Sequence, residues 1–322
     1  MIFSKQIARK YRKKLFHRCD ESGTVFYFSA ENFPGLIREP YAFRSKRGNR
    51  LQGYFYHYGA PETDRIVVFD HGMGGGHRAY MKEIELLARH GYLVFAYDHT
   101  GCMESEGEST FGFTQSLCDL NDCLNALKND SAYQGRRFSV IGHSWGGYAC
   151  LNISALHPDL AHVVAMSGFL SVGQILKHNC RGWKSMFIKP MCSAEAEIDP
   201  ELVPLNAVDS LQNTDARILI VFSSNDPVVQ PDWQVAPLRA ALEGKQNVSF
   251  LEVPNKGHNP NYTEDAVRYK DEFFALLKQK GKAGELKTEE QKKAFVRSVD
   301  WDRMTAQDPA VWARIFETLD QK

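Results

Sequence analysis

Short apolar runs and helix-spaced stretches alternate along most of the chain. Arg65–Asp70, Tyr92–Tyr97, Phe138–Gly142, His162–Met166, Ile218–Phe222 and Val248–Val253 are compact apolar runs, each bounded by turn-forming residues. They read as buried strands. Tyr80–His90, Thr114–Lys128, Trp145–Leu156, Pro231–Leu242 and Thr263–Lys278 lie between or after them with helical spacing. Such alternation predicts an α/β fold with a parallel sheet covered by helices on both faces. Ahead of it, Tyr41–Ser45 and Leu51–Tyr58 flank Lys46-Arg47-Gly48-Asn49 and read as a β-hairpin.

The alternation lapses at 171–216, where Trp183, Met186, Phe187, Ile188 and Met191 stand among prolines with no strand pattern. This stretch is expected to be a cap inserted over one end of the sheet. The expected organisation is therefore a core at 40–170 and 217–281, a cap at 171–216, a basic lead-in at 1–39 and a helical extension at 282–322. In the lead-in, Phe3, Ile7, Tyr11 and Leu15 repeat every four residues and are expected to pack on the body while the basic residues face water. A second reading of this helix is contact with an anionic membrane surface. In the extension, Thr288-Glu-Glu-Gln291 has capping-box form. Asp308-Pro309 sets an N-cap before a first-turn proline, and Trp312, Ile315, Phe316 and Leu319 form a stripe that should dock.

Composition narrows the function classes. Lys+Arg and Asp+Glu are equal at 39 each among 322 residues, which gives no reason to expect a nucleic-acid partner. No apolar run is long enough to span a bilayer, and the basic start lacks the apolar segment of a secretory signal. Seven cysteines without a CxxC pair suggest neither a zinc site nor a disulfide framework, so a reducing, cytoplasmic location is expected.

The chemistry concentrates at Gly142-His143-Ser144-Trp145-Gly146, a G-x-S-x-G sequence between an apolar strand and a helix. That setting lifts a serine hydroxyl above the sheet edge. A serine nucleophile needs a base in a late loop at the same edge, and His258 follows the last predicted strand. The base needs an acid to orient it. Asp226 ends the preceding strand, with Asp232 as the alternative. An oxyanion needs two N–H donors. Trp145 supplies one, and the loop His71-Gly72-Met73-Gly74-Gly75-Gly76 the other. That loop matches neither the phosphate-binding nor the dinucleotide-binding glycine pattern.

HGMGGG at 71–76, DHTGCMESEG at 98–107, GHSWGG at 142–147, NDPVV at 225–229 and KGHNP at 256–260 together resemble the α/β-hydrolase superfamily. The likeness is to its serine-aminopeptidase-like and monoacylglycerol-lipase-like branches. The resemblance implies the α/β-hydrolase fold, with a mostly parallel eight-stranded sheet and a small cap between strands six and seven. It also implies Met73 as the second oxyanion amide. The family motif usually carries a basic residue where this chain has His99. The function so implied is hydrolysis of an ester of small or medium acyl chain through an acyl-enzyme on Ser144, with no metal and no organic cofactor. The partner is a small acyl substrate, and oligomeric state is left open. Trp183, Met186 and Phe187 in the cap are expected to line the substrate pocket. Two alternatives stand beside it. One is a hydrolase of short peptides, which would hold a free amine through Glu195, Glu197, Asp199 or Glu201. The other is a non-enzymatic binding protein on the same fold.

Overall fold

The computed structural model describes residues 2–61 and 64–321, with side chains from Gln6 onward. Eight strands form one sheet: β1 (Ile37–Arg44), β2 (Arg50–His57), β3 (Arg65–Asp70), β4 (Leu93–Tyr97), β5 (Arg137–His143), β6 (His162–Met166), β7 (Arg217–Ser223) and β8 (Val248–Val253). Their order is β1-β2-β4-β3-β5-β6-β7-β8. The hairpin strands β1 and β2 run antiparallel, and every pair from β4 to β8 is parallel.

Side chains alternate between the two faces of each strand, so the sheet feeds two cores. One core takes Val68, Phe95, Val140, Val163 and Ile218, packed under α3 (Thr114–Asn129) and α4 (Trp145–Ile153). The other takes Val67, Phe69, Val94, Ile141, Val164 and Leu219. It is covered by α2 (Met81–Arg89) and by α13 (Pro309–Asp320). Val311, Trp312, Ile315 and Leu319 of α13 are buried, after Asp308 caps the Ala310 amide. The last helix of the supposed extension is thus part of the main core.

Before α13 come α10 (Glu264–Ala283), α11 (Glu289–Arg297) and α12 (Trp301–Met304). These three build a small separate core from Phe273, Phe295 and Met304, joined by Val25 of the lead-in. In the 171–216 segment lie α5 (Val172–Asn179), α6 (Ile188–Ala196) and α7 (Ala207–Gln212). No helix among the described residues is long and apolar enough to cross a membrane.

Two local expectations fail for identifiable reasons. Pro231–Leu242 is two short helices, α8 (Pro231–Gln234) and α9 (Ala236–Ala241), because Pro237 cannot donate the N–H that a continuous helix needs. The first helix, α1 (Ile2–Leu15), buries Tyr11 but leaves Leu15 46% exposed. A four-residue step overshoots a helical turn by about 40°, so the fourth residue of the series has rotated off the face. Phe16, just past the helix, is buried in its place. Phe3 lies outside the described side chains. The Tyr11 hydroxyl donates to Glu195 Oε1 at 2.6 Å, and Arg12 pairs with Glu197 at 2.8 Å, which fastens α1 onto α6.

Beneath the strand ends lies a buried charge cluster. His99 bonds Asp70 through Nε2 and Asp119 through Nδ1, the latter at 3.3 Å. Burial alone would neutralise the ring, but the two carboxylates outweigh it and raise its pKa to about 10. His99 is therefore a cation, as is the residue usual at this place in the family the sequence resembles. Its folded pKa lies above the unfolded value, so the stabilisation is complete below about pH 6.5 and is lost as pH rises through 10. His99→Gln leaves the two carboxylates facing each other and should cost about 3–5 kcal/mol at pH 6.5. Denaturant melts between pH 6.5 and 10 should show the gap to wild type shrinking as pH rises. A gap independent of pH would mean that His99 is neutral.

Candidate active site

Ser144 follows β5 and caps α4 with φ 56° and ψ −107°, a conformation that side-chain-bearing residues rarely adopt. Its surroundings hold it there. A methyl group on Gly146 would collide with the backbone of Asp70, and one on Gly142 would stand 2.6 Å from Gly146. Only glycines permit this close packing of helix on strand. The Ser144 amide donates to the Met166 carbonyl at 2.9 Å, which fixes the turn to β6.

The structure brings Ser144, His258 and Asp226 together. His258 Nδ1–H donates to Asp226 Oδ2 at 2.9 Å, so Nε2 is left to accept the Ser144 hydroxyl at 2.8 Å. Asp226 is buried, and its Oδ1 accepts the amides of Val228 and Val229 at 2.8 and 2.9 Å. That orientation presents Oδ2 to the imidazole. Asp232 is exposed on α8. The two loops are laced by Asn225, whose Oδ1 takes the Ser223 hydroxyl and the Gly257 amide at 2.7 and 3.0 Å. Lys256 holds the histidine loop from the far side, bonding the Tyr262 carbonyl and Asp308 at 2.6 Å each.

The loop at 71–76 is pinned at one peptide. His71 Nδ1–H donates to the Gly72 carbonyl at 2.7 Å, while its Nε2 accepts the His99 amide at 3.0 Å. Burial, with the His99 charge adding to it, depresses the His71 pKa to about 3, consistent with a neutral ring. In a planar trans peptide the N–H points opposite the C=O. Fixing the Gly72 carbonyl therefore aims the Met73 N–H. Trp145 is the first residue of α4, so its N–H has no carbonyl partner within the helix. Both amides belong to segments that meet at the Gly146 contact.

His143 adds a second brace. The Gly72 amide donates to the Tyr80 hydroxyl at 3.1 Å, and Tyr80 Oη lies 2.9 Å from His143 Nδ1. His143 Nε2–H donates to the His258 carbonyl at 2.6 Å. Burial, then the proximity of His258, pushes the His143 pKa well below the usual imidazole range. Nδ1 is then free to accept the Tyr80 proton, and one chain of bonds joins the 71–76 loop to the histidine loop. Sequence reasoning gave no site role to Tyr80, Asn225, Lys256 or Asp308: Tyr80 stands in no motif, Asn225 and Lys256 were only part of the NDPVV and KGHNP segments, and Asp308 was read as an N-cap alone. His143 was visible only as the unspecified residue of G-x-S-x-G.

A cavity of about 480 Å³ opens beside Ser144 and His258. Its wall is made of Phe26 and Phe28 from the lead-in, Phe273, Phe274 and Leu277 from α10, and Trp301 before Met304. This corrects the expected pocket. Trp183, Met186 and Phe187 do not line this cavity, and Trp183 and Met186 are 72% and 58% exposed. The 171–216 segment is fastened elsewhere, since Glu195 accepts the Phe113 and Thr114 amides at 3.0 and 2.9 Å and the Tyr11 hydroxyl. The acidic set likewise lies away from the cavity lining, with Glu197 on Arg12, Asp199 on Lys46 and Glu201 exposed.

Comparison with known proteins agrees with this fold. A family model described as alpha/beta hydrolase fold matches residues 65–189. Monoglyceride lipase of Rattus norvegicus is 32% identical over 111 residues, 33% of this chain and 36% of that protein. Protein ABHD8 of Bos taurus is 29% identical over 105 residues, 33% of this chain and 24% of that protein. The match therefore spans only about a quarter to a third of these relatives' length. Among solved structures, Pyrococcus furiosus esterase Pf2001 aligns with a TM-score of 0.57 at 20% identity, covering 84% of this chain and 98% of that one. Acetyl xylan esterase 1 from Thermoanaerobacterium sp. aligns at 0.51 with 17% identity, covering 80% and 88%. At such identities the structural likeness is one of fold. With the eight-stranded sheet and the family match on residues that include the serine elbow, the chain has the α/β-hydrolase fold and is similar to the proteins of that superfamily.

Proposed function

We propose that this chain is a serine hydrolase of carboxylic esters that works through an acyl-enzyme on Ser144. The observation that carries the reading is the aligned series Ser144 Oγ to His258 Nε2 at 2.8 Å and His258 Nδ1 to Asp226 at 2.9 Å. Ser144 attacks the ester carbonyl while His258 takes its proton, and Asp226 stabilises the imidazolium. The carbonyl oxygen gains charge and bonds the Met73 and Trp145 amides. His258 returns the proton to the departing alkoxide. Water, activated by the same histidine, then releases the acid.

The cavity wall supports an apolar acyl or alkyl group as the part recognised. The peptidase alternative is weakened, because none of Glu195, Glu197, Asp199 and Glu201 lines the cavity beside Ser144. The binding-protein alternative leaves unexplained a buried aspartate, a histidine and a strained serine held in hydrogen-bonding register.

A fluorophosphonate probe should label wild type and leave Ser144→Ala unlabelled. The variant should lose several orders of magnitude in ester turnover, retaining only the roughly 10³–10⁴-fold over water seen when a triad member is removed. Labelling of Ser144→Ala would place the nucleophile elsewhere.

Each methylene accommodated by the wall adds up to about 0.8 kcal/mol. Across p-nitrophenyl esters from acetate to palmitate, kcat/KM should rise, pass an optimum and fall once the cavity is full. Phe274→Ala should move the optimum to longer chains, while Trp183→Ala leaves it in place. A rise continuing through palmitate, or a shift caused by Trp183→Ala, would contradict the assignment of the wall.

A further inference from the structure

One face of α10 lines the cavity with Lys270, Phe273, Phe274 and Leu277, spaced i, i+3, i+4 and i+7. Three of these are apolar and the first is a cation. Lys270 is half-buried, its Nζ bonds the neutral Asn259 Oδ1 at 2.8 Å, and it lies 5.2 Å from the Tyr262 ring centre. Among the described residues no carboxylate oxygen comes within 4.0 Å of it. The other charges on the cavity wall are already matched: Arg78 pairs with Glu21 at 2.7 Å and Asp20 with Arg18 at 2.8 Å. An ammonium with donors to spare, in an apolar cavity beside a nucleophile, is costly unless something in the working complex neutralises it.

Resting on the esterase reading, we propose that the substrate is an amphipathic anion whose carboxylate bonds Lys270 while its apolar chain lies along Phe273, Phe274 and Leu277. Position along the helix sets the order. Lys270 is next to Asn259, the residue after His258, and its charge is felt at His143 in the elbow. The three apolar residues follow in the direction away from that point. The carboxylate therefore lies within a few bonds of the scissile carbonyl, with the chain extending beyond.

A monoanion fits better than a phosphate dianion. A lysine is a single point charge without the fork that grips phosphate. Glu83, the nearest buried acid, and Asp271 on α10 add negative potential of their own. Glu83 is no substitute for the ligand. Burial raises its pKa to about 7, and its Oε1 is bonded by Asn261 at 3.0 Å. Burial also pushes the Lys270 pKa below the usual lysine range, a cost that a bound carboxylate offsets.

The test compares isosteric esters in a proton-release assay. O-hexanoyl-lactate is set against O-hexanoyl-lactamide, and hexyl hydrogen succinate against hexyl succinamate. The carboxylate thus sits on the alcohol side in one pair and on the acyl side in the other. In at least one pair wild type should prefer the anion by ten-fold or more in kcat/KM. Lys270→Met should lower that ratio at least ten-fold, chiefly through KM, and Lys270→Arg should restore most of it. Wild-type ratios at or below one in both pairs would overturn the proposal. So would a Lys270→Met ratio equal to wild type, the pattern expected if the lysine only props Asn259. Titration calorimetry with free hexanoate needs no turnover. Binding at least ten-fold weaker to Lys270→Met supports the site and equal binding overturns it. Absence of all ester turnover with intact hexanoate binding would sink the esterase reading alone.

Discussion

The reversal of the chain at Ser144 is the constraint on which the rest of the site depends. Strand β5 must turn into α4 within one residue, and the backbone there costs about 1–3 kcal/mol relative to a relaxed one. What repays the cost is contact: Gly146 lies directly on the Asp70–His71 backbone at the end of β3. Because of that contact, the serine and the loop carrying Met73 are one rigid body. The hydroxyl and the two candidate oxyanion amides cannot shift relative to one another without opening the core. Tyr80 and His143 then extend the same body to the loop that holds His258.

Adjacent imidazoles in this body are driven to opposite protonation states by their partners. The His71 and His99 ring centres are 4.4 Å apart. His99 sits between two carboxylates and holds its proton, while His71 accepts the backbone amide of His99 and so carries no proton on Nε2. Burial, with repulsion from the cation added, keeps His71 neutral, with its Nδ1–H donated to the Gly72 carbonyl. The backbone amide of His99 thus selects the tautomer that orients the 71–76 loop, while the charge on the same residue disfavours a second proton.

What the sequence reveals and what it hides follow from the range of the interactions. The bounds of β3 and β6 coincide with their apolar runs, because a strand buried on both faces is apolar along most of its length; β8 keeps its expected bounds as an edge strand, with Ser249 and Glu252 exposed. The serine elbow is legible because it is a local structure: glycines, nucleophile and helix start lie within five residues. The Ser144–Asp226–His258 grouping follows from where strands end. The cavity wall is not legible, since it joins residues at 26–28 to residues at 273–304, across the length of the chain. Trp183 and Met186 looked like pocket residues for their apolar bulk, and bulk does not say which way a segment faces. Glu195 decided that, by capping α3 and binding Tyr11. No period or motif announces a buried glutamate paired with two distant elements.

The segment after α10 has three attachments, and together they explain why the cavity is built from the chain's outer segments. α13 closes the second core on the sheet. Asp308, which caps α13, also pairs with Lys256 two residues before His258. α10 to α12 form the cavity wall and enclose a small core shared with Val25. Fold stability, the position of the base and the shape of the cavity are therefore carried by one continuous stretch. In an enzyme whose cap is an insertion, the cap can change while the core stays fixed. Here the wall cannot move far without disturbing either α13 or the histidine loop. The substrate-facing surface is accordingly tied by packing and by the Lys256–Asp308 pair to the core behind it.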